Sequence, residues 1–347
     1  MGKPTLINIV SGKGGTGKSL FCALLGRLLA QESAKVLLVD FDIFVRGLTH
    51  FYYTFIKEKR VLTKGVSVSD YLCLTDTNNN VSYSLQNKLS YEQFYEVHIC
   101  PSVSQIESQV KYLEVTEELK QRLKRLLSLL RDTAYDIILI DNRSGVDHLI
   151  LESCKHCDIT ISIAESDPIS RTTNENLLRH LNTSSVGKVY TIFNKVRFLK
   201  TFDDYEKSME QIRGDYTIIG QIPFDVDLFE TFGSKHFWET ANSTKYAYGV
   251  AEAWNSLSKR ESFEVTIDMD RFKIFSIWPS NKKTPTFLSK FERMSLLFGI
   301  ISIFTYFVYD LMEKDNFDMK SILLIYAVLF LLYPVFRRII FQNKDKD

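Results

Sequence analysis

Residues Gly12-Lys13-Gly14-Gly15-Thr16-Gly17-Lys18-Ser19 match the pattern G-x-x-x-x-G-K-[ST] without a gap. The stretch follows an apolar run at residues 6–10 and precedes a helical pattern that begins at Ser19. Its glycines permit backbone angles that turn successive N–H groups inward, and the helix N-terminus adds partial positive charge. The stretch therefore predicts a phosphate-binding loop. Lys18 is expected to contact the β- and γ-phosphates of a nucleotide, and the Ser19 hydroxyl to ligate Mg²⁺.

Seven short apolar runs predict the sheet that carries this loop. Most are continuous and β-branched, which is typical of parallel strands buried on both faces. Helical patterns separate them, including residues 19–31 and 116–130, as in repeated βα units. We therefore predict an α/β fold, a doubly wound and mostly parallel sheet, over residues 1–260. The runs are residues 6–10, 36–39, 97–100, 137–140, 159–164, 189–193 and 218–222.

Composition excludes several other classes of protein. The 347 residues are 45% hydrophobic and 24% charged, which is incompatible with bulk disorder. With 43 basic and 42 acidic side chains the net charge is +1, so no global positive field favours nucleic acid. Five cysteines do not make a disulfide framework in a chain of this length. Since the start of the chain shows no signal-peptide pattern, the bulk of the chain is expected in the cytosol.

A second lysine in the loop, Lys13, makes the sequence resemble the deviant Walker A ATPases, the family that includes MinD and ParA. The resemblance covers about residues 4–258. It implies that two copies bind ATP and Mg²⁺ and form a face-to-face homodimer, in which Lys13 reaches the partner's nucleotide. It implies catalytic roles for Lys13, Lys18 and Asp42. The ATP contacts that it implies are Gly12, Lys13, Gly14, Gly15, Thr16, Gly17, Lys18, Ser19 and Asn194.

The resemblance continues at the ends of three later apolar runs. Asp42 follows the second run in a segment similar to the family's switch I, where it would position the attacking water. Asp141 ends the run at 137–140 and is similar to the Walker B aspartate, which would hold Mg²⁺ through water together with Ser19. Asn194 follows the run at 189–193, where the family places an asparagine against adenine. Residues 220–225, Gly-Gln-Ile-Pro-Phe-Asp, resemble a further family segment.

Two arginines depart from the family's pattern. Switch II reads Asp-Asn-Arg-Ser-Gly at residues 141–145, where relatives usually carry a proline, and Arg143 adds a cation there. This side chain is expected to sense nucleotide, contact a partner or lie in solvent. Switch I gains Arg46. Both departures bear on the rate of hydrolysis more than on ATP binding.

Two weaker patterns have simpler interpretations. Cys154 and Cys157 form a single C-x-x-C, a motif that holds zinc or an iron–sulfur cluster across some dimers of this family. Two half-buried thiols at a helix end are the better interpretation. A helix near residues 116–131 carries five basic residues, for which a solvated face is favoured. We therefore do not expect nucleic acid as a partner. These basic residues are Lys120, Arg122, Lys124, Arg125 and Arg131.

The last part of the chain predicts a transmembrane hairpin. Residues 294–309 and 321–336 are uncharged runs of sixteen, assigned to two transmembrane helices within 294–341. Basic residues flank the pair and acidic residues dominate the connecting loop, so both ends are expected to be cytoplasmic. The alternative is a buried or interfacial helical pair. Residues 261–293 predict a connector with a β-hairpin around residues 270–271, and residues 342–347 a polar cytoplasmic tail.

Together these features predict a multi-pass protein of the inner or cytoplasmic membrane. Its ATPase domain would bind Mg-ATP, dimerise, and hydrolyse ATP to switch the recruitment or positioning of an unidentified protein partner. One alternative is a nucleotide-gated membrane scaffold with little hydrolysis, which the altered switch II favours. The other is a relative of the bacterial protein-tyrosine kinases. Against that reading, Phe44 and Arg46 break the expected Asp-x-Asp-x-Arg, and the chain lacks a terminal tyrosine cluster.

Overall fold

The computed structural model describes residues 3–56, 66–72, 89, 91–110, 116–184, 186–196 and 217–272. In these ranges no helix has the length and apolar character needed to cross a membrane. The predicted hairpin at 294–341 and the tail at 342–347 lie outside the described residues, as does most of the connector.

An eight-stranded sheet forms the centre of the described part of the chain, in the order β3-β4-β2-β5-β1-β6-β7-β8. All neighbouring strands are parallel except β3 and β4, which are antiparallel. This confirms the predicted mostly parallel α/β sheet. The strands are β1 (Thr5–Ser11), β2 (Val36–Asp40), β3 (Glu92–Phe94), β4 (Val97–Cys100), β5 (Ile137–Ser144), β6 (Ile159–Glu165), β7 (Lys188–Val196) and β8 (Thr217–Pro223).

Each of the seven predicted runs is a strand, and β3 is the one strand of the described residues that the sequence did not predict. β3 is three residues long and mostly polar, so it carries no pattern that distinguishes it from a loop. It pairs with β4 through a tight turn in which Tyr95 has a φ of 53°. The antiparallel strand at the edge is thus defined by its neighbour rather than by its own sequence.

Helices cover both faces of the sheet. They are α1 (Lys18–Gln31), α2 (Gly47–Thr49), α3 (Val68–Tyr71), α4 (Glu117–Arg131), α5 (His148–Lys155), α6 (Pro168–Thr183), α7 (Val226–Thr231), α8 (Phe237–Ala241) and α9 (Lys245–Glu261), with a π-helix at His50–Ile56 and a 3-10 helix at Met269–Phe272.

The two faces of β1 explain its continuous hydrophobicity. Ile7 and Ile9 belong to the core under α1 and α9, whereas Leu6 belongs to the core under α4. Val10 packs with α5 and α6. Since successive side chains of a strand point to opposite faces, a strand covered on both sides has no polar face.

The described part of the connector differs from the prediction. Residues 263–268 form no strand, and Met269–Phe272 is a 3-10 helix where a hairpin turn was expected. Side chains of α9 take up the backbone groups that a strand partner would have used: Trp254 Nε1 donates to the Val265 carbonyl at 3.0 Å, and Asn255 Nδ2 donates to the Ile267 carbonyl at 2.9 Å. The second predicted arm lies mostly outside the described residues.

Candidate nucleotide-binding site

The phosphate loop connects β1 to α1 at the carboxyl edge of the sheet, where ligands of parallel α/β folds bind. Gly15 and Gly17 have φ angles of 77° and 92°, in the left-handed region that glycine adopts readily. Gly17 is also the N-cap of α1, and no side chain caps this end. The first turn of α1 therefore faces the loop with its N–H groups uncapped, as an anion site requires.

Two glycines of the loop permit close packing against neighbouring elements. A Cβ at Gly12 would lie 2.2 Å from the carbonyl oxygen of Thr173 in α6. A Cβ at Gly17 would lie 2.4 Å from Nδ2 of Asn194 in β7. The loop is thus wedged between α6 and the end of β7, and a side chain at either position would push it out of place.

Lys18 is buried at the start of α1, and its ammonium group donates to the Ser144 hydroxyl at 2.6 Å. Ser144 ends β5 and accepts a second hydrogen bond, from the Ser11 hydroxyl at 3.3 Å. The lysine predicted to bind phosphates therefore lies against switch II, the segment whose family sequence is altered.

Ser19 and Asp141, the two predicted magnesium residues, are adjacent. The Ser19 hydroxyl donates to Asp141 Oδ2 at 2.5 Å, while Oδ1 is buried without a hydrogen-bond partner in the described part of the chain. Burial raises the pKa of Asp141 to about 6, Lys18 and Ser19 act against this rise, and Asp42 adds to it. The free oxygen is a hydrogen-bond acceptor at the place where a magnesium-bound water would need one.

Asp40 was not singled out in the sequence, yet it anchors switch I. It is fully buried, and its Oδ2 accepts from the Thr49 N–H at 2.8 Å and from the Thr49 hydroxyl at 2.7 Å. Burial first, and the charge of Asp141 next, raise the pKa of Asp40 well above its usual value. The sequence pattern that could have identified Asp40 as a site residue is its position as a charged residue at the end of an otherwise apolar strand.

Asp42 lies in the same acidic cluster. Its N–H donates to Asp40 Oδ1 at 3.0 Å, and its own Oδ1 accepts from the Val45 N–H at 3.1 Å. Arg46 holds this segment in place, because its guanidinium donates to the carbonyls of Ile106 at 2.5 Å and Ser108 at 2.6 Å. Switch I is therefore fixed both by Asp40 and by Arg46.

The residues present fit a water-mediated magnesium site. Within the described ranges no group of three His, Cys, Asp or Glu side chains is arranged to hold a metal directly. Mg²⁺, however, keeps several waters and takes few protein ligands beside phosphate oxygens. One hydroxyl at Ser19, one unpaired carboxylate oxygen at Asp141 and the nearby charge of Asp42 suit that chemistry.

Lys13 turns back toward its own chain. Its Nζ lies 3.6 Å from Asp167 Oδ2 and 3.9 Å from Glu165 Oε2, and its side chain is 38% exposed. These acids end β6 and cap α6, so the sequence did not connect them with the loop. To reach a second copy, Lys13 would have to leave this pair of carboxylates.

Asn194 lies against the phosphate loop. It is fully buried, and its Nδ2 donates to the Thr16 carbonyl at 2.8 Å and to the Tyr246 hydroxyl at 3.0 Å. The next residue, Lys195, was not among the predicted site residues. Its Nζ donates to the Gly15 carbonyl and to Glu165 Oε1, the latter at 2.7 Å. The contact of Asn194 with adenine stays a prediction.

The sequence of this sheet and loop matches a known family. Residues 7–236 match the CobQ/CobB/MinD/ParA nucleotide-binding domain, which is well over half of the chain. The chain belongs to this family. Members of the MinD/ParA family are ATP-binding ATPases.

The chain is similar to three proteins that carry the MinD name. It is 27% identical over 182 residues to the septum site-determining protein MinD of Helicobacter pylori, and this match spans 52% of the chain and 60% of that relative. Its fold is similar to MinD complexed with Mg-ADP from Pyrococcus horikoshii, with a TM-score of 0.54, 20% identity, and coverage of 76% of this chain and all of that one. A MinC:MinD cell division protein complex from Aquifex aeolicus gives a TM-score of 0.53 at 18% identity, covering 76% and 98%.

Arg143, where the family usually has proline, makes two contacts inside the chain. It lies 3.2 Å from Asp147 Oδ2, and its guanidinium stacks over the Phe44 ring at 4.9 Å from the centroid. Phe44 belongs to switch I, so Arg143 joins the two switch segments.

The two thiols of the C-x-x-C are buried rather than half-buried, and part of the basic face of α4 is paired with acids. Cys154 and Cys157 are both buried, and burial raises the pKa of each thiol well above its usual value. On α4, three of the five basic side chains pair with nearby acids. The pairs are Lys120 with Glu117, Arg122 with Glu118, and Arg131 with Asp158.

In the family segment at 220–225, Asp225 caps α7 by accepting from the Leu228 N–H at 3.2 Å.

Proposed function

We propose that this protein is a membrane-anchored ATPase that binds Mg-ATP, dimerises with ATP enclosed between two copies, and hydrolyses it. The observation that carries the proposal is the hydrogen bond from the half-buried Ser19 hydroxyl to the buried Asp141, whose second carboxylate oxygen is unpaired in the described part of the chain. The Mg-ADP in the Pyrococcus horikoshii relative supports both the nucleotide and the metal. Hydrolysis would switch the recruitment or positioning of a protein partner.

In this proposal the chain's residues work mainly by positioning and charge. Lys18 would exchange its hydrogen bond with the Ser144 hydroxyl for contacts with the phosphates. Because Lys18 is buried, its ammonium group would face the phosphates in a site that contains little water. Bound Mg²⁺ would neutralise charge that builds up between the β- and γ-phosphates. Asp42 would orient the attacking water, since the Val45 N–H holds its carboxylate near enough to Asp141 to raise the pKa of that residue.

Lys13 would complete the site of the second copy. Leaving Glu165 and Asp167 costs little, because partly exposed ion pairs contribute about 0–1 kcal/mol. A phosphate offers the same ammonium group more negative charge. Binding of ATP by the partner would therefore draw Lys13 across the interface.

The test is the oligomeric state of the full-length chain in mild detergent with ADP and with ATP. We expect a dimer with ATP and a monomer with ADP. We expect Lys13→Ala to abolish the dimer and most of the phosphate release. Lys35→Ala, which alters an exposed lysine after α1, serves as the control and should behave as the wild type. A wild-type chain that binds ATP yet stays monomeric would refute the proposed dimer.

The scaffold reading keeps one specific observation in its favour. Arg143 ties switch II to Phe44, and Arg46 ties switch I to residues 106–108, so both switches are held by side-chain contacts absent from the usual family sequence. A fixed pair of switches favours binding over turnover. An ATP-dependent dimer with phosphate release at the level of Lys18→Ala would support this reading over the ATPase.

Membrane anchoring rests on the sequence of residues 294–341. A permanent anchor would leave ATP to control the dimer state or partner recruitment in the plane of the membrane, with the ATPase domain on the cytoplasmic side. Flotation with lipid vesicles after removal of detergent and in high salt tests it. Recovery of the chain in the soluble fraction would refute the anchor while leaving the ATPase proposal intact.

A further inference from the structure

Two consecutive residues at the end of β7 hold two consecutive carbonyl groups of the phosphate loop. Lys195 Nζ donates to the carbonyl of Gly15, and Asn194 Nδ2 donates to the carbonyl of Thr16 at 2.8 Å. These contacts join segments about 180 residues apart in the chain.

The direction of these carbonyls fixes the direction of the neighbouring N–H groups. The described chain has no cis peptide bonds, and in a trans peptide the C=O and the following N–H point in opposite directions. Holding the Gly15 and Thr16 carbonyls toward β7 therefore turns the Thr16 and Gly17 N–H groups away from β7. Successive N–H groups turned to one side form an anion-binding nest.

We propose that Asn194 and Lys195 act as a template that fixes the phosphate loop in its anion-binding shape. Lys195 is then a positioning residue that acts on the phosphates of a nucleotide through the Gly15–Thr16 peptide. This inference rests on the proposed nucleotide binding, and it names the residues that make the loop ready for its ligand.

The Asn194 part of the template is rigid. Its side chain is fully buried, its Oδ1 accepts from the Lys195 N–H at 2.9 Å, and its Nδ2 also donates to the Tyr246 hydroxyl of α9. Gly17 lacks the Cβ that would collide with Nδ2 at 2.4 Å. The Asn194 amide is thus held by hydrogen bonds to Thr16, Tyr246 and Lys195, and the absence of a side chain at Gly17 leaves room for it.

The Lys195 part is held in an unfavourable backbone conformation. Its φ is 55°, in the left-handed region that costs a non-glycine residue roughly 1–2 kcal/mol. Its ammonium group reaches Gly15, pairs with Glu165 Oε1 at 2.7 Å, and lies 5.2 Å from the centre of the Phe229 ring. Such strain persists where surrounding contacts define the conformation, as they do here.

Glu165 connects this template to Lys13. One carboxylate oxygen accepts from Lys195, and the other lies 3.9 Å from Lys13 Nζ. When Lys13 departs for a partner, Glu165 and the loop keep Lys195 as their cation. The template can therefore stay in place through the proposed dimerisation.

The test measures binding of Mg-ADP and of inorganic pyrophosphate to the full-length chain, for wild type, Lys195→Met and Lys195→Arg. We expect Lys195→Met to weaken both ligands by a similar factor of about ten, because it removes one charge-assisted hydrogen bond to the loop. Lys195→Arg keeps a cationic donor and should restore most of the affinity. Pyrophosphate has no base, so an equal loss locates the effect in the phosphate cradle.

Lys188→Met is the matched control. Lys188 begins the same strand, is exposed, and pairs with Glu261 at 2.6 Å, far along β7 from the loop. Its affinities should equal those of the wild type, and the melting temperature without ligand should be the same for both methionine variants. With ATP, we expect Lys195→Met to raise KM more than it lowers kcat, because the template acts on the bound nucleotide before the reaction.

Several results would overturn the template. Unchanged affinity in Lys195→Met would do so, as would a loss limited to Mg-ADP with pyrophosphate unaffected, which would assign Lys195 to the base. A loss that parallels a lower melting temperature would assign it to folding alone. Two outcomes separate this inference from the proposed function. If the wild type binds neither ligand, the proposed function fails as well. If the wild type binds both ligands, Lys18→Ala abolishes binding and Lys195→Met does not weaken it, the template alone is refuted.

Discussion

Asp141 is expected to destabilise the fold when it is ionised, although the proposed function requires its charge. Burial raises its pKa from 3.8 to about 6, so the folded chain holds the proton more tightly than the unfolded chain does. The destabilisation of the fold by ionised Asp141 is absent below pH 3.8, grows between pH 3.8 and about 6, and is fully present above pH 6. The difference between the two pKa values corresponds to about 3 kcal/mol at neutral pH.

Asp141→Asn removes this charge and keeps an oxygen to accept from the Ser19 hydroxyl. The new amide nitrogen takes the place of the buried oxygen without a partner, at a cost of about 1–3 kcal/mol. At pH 7.5 the variant should therefore be as stable as the wild type or more stable, by up to about 2 kcal/mol. The same variant should lose the stabilisation that Mg-ADP gives the wild type beyond ADP alone.

The pH dependence gives the sharper measurement, because the cost of the unpaired amide is the same at every pH. Between pH 7.5 and 5 the titration of Asp141 should by itself stabilise the wild type by roughly 1.4 kcal/mol relative to Asp141→Asn, and its repulsion with Asp40 adds to the pH dependence of the wild type. Urea unfolding of the full-length chain in mild detergent with EDTA measures this gain. Asp136→Asn, just before the opposite end of β5, is the control and should follow the wild type. Equal pH dependence in wild type and Asp141→Asn would refute the reasoning.

Two further predictions concern the loop and the thiols. Gly12→Ala should lower the free energy of unfolding by about 1–3 kcal/mol and weaken nucleotide binding, because the new Cβ would lie 2.2 Å from a backbone carbonyl oxygen of α6. Gly14→Ala is the control and should unfold like the wild type, because a Cβ at Gly14 has no neighbour within 4 Å. Paired melting curves with and without Mg-ADP check this, and equal loss in both variants would contradict it. Cys154 and Cys157 should resist alkylation by iodoacetamide at pH 8 in the folded chain and react quickly in urea, because burial raises the pKa of both thiols. Mass spectrometry counts the modified sites, and fast labelling of the folded chain would argue for the exposed C-x-x-C of a metal site.

The sequence was sufficient for the sheet because a buried parallel strand leaves a simple pattern. All seven continuous apolar runs are strands, and the helix at 19–31 begins within one residue of its expected position. It was insufficient for β3, whose pairing depends on β4, and for residues 263–268, where side chains of α9 replace a strand partner. Both failures involve backbone groups whose partners lie outside the local sequence.

The candidate site divides in a similar way. The sequence by itself predicts Lys18 and Ser19 as phosphate and magnesium residues and, through the family resemblance, Asp141, because motif spacing and strand ends are local properties. Only the tertiary structure decides which atoms meet: Lys13 with the acids of β6 and α6, and Lys195 with a carbonyl of the loop. These partners lie some 150 to 180 residues apart in the chain. Parallel strands bring such distant positions to one edge of the sheet, and nothing in the local pattern of either segment records the other.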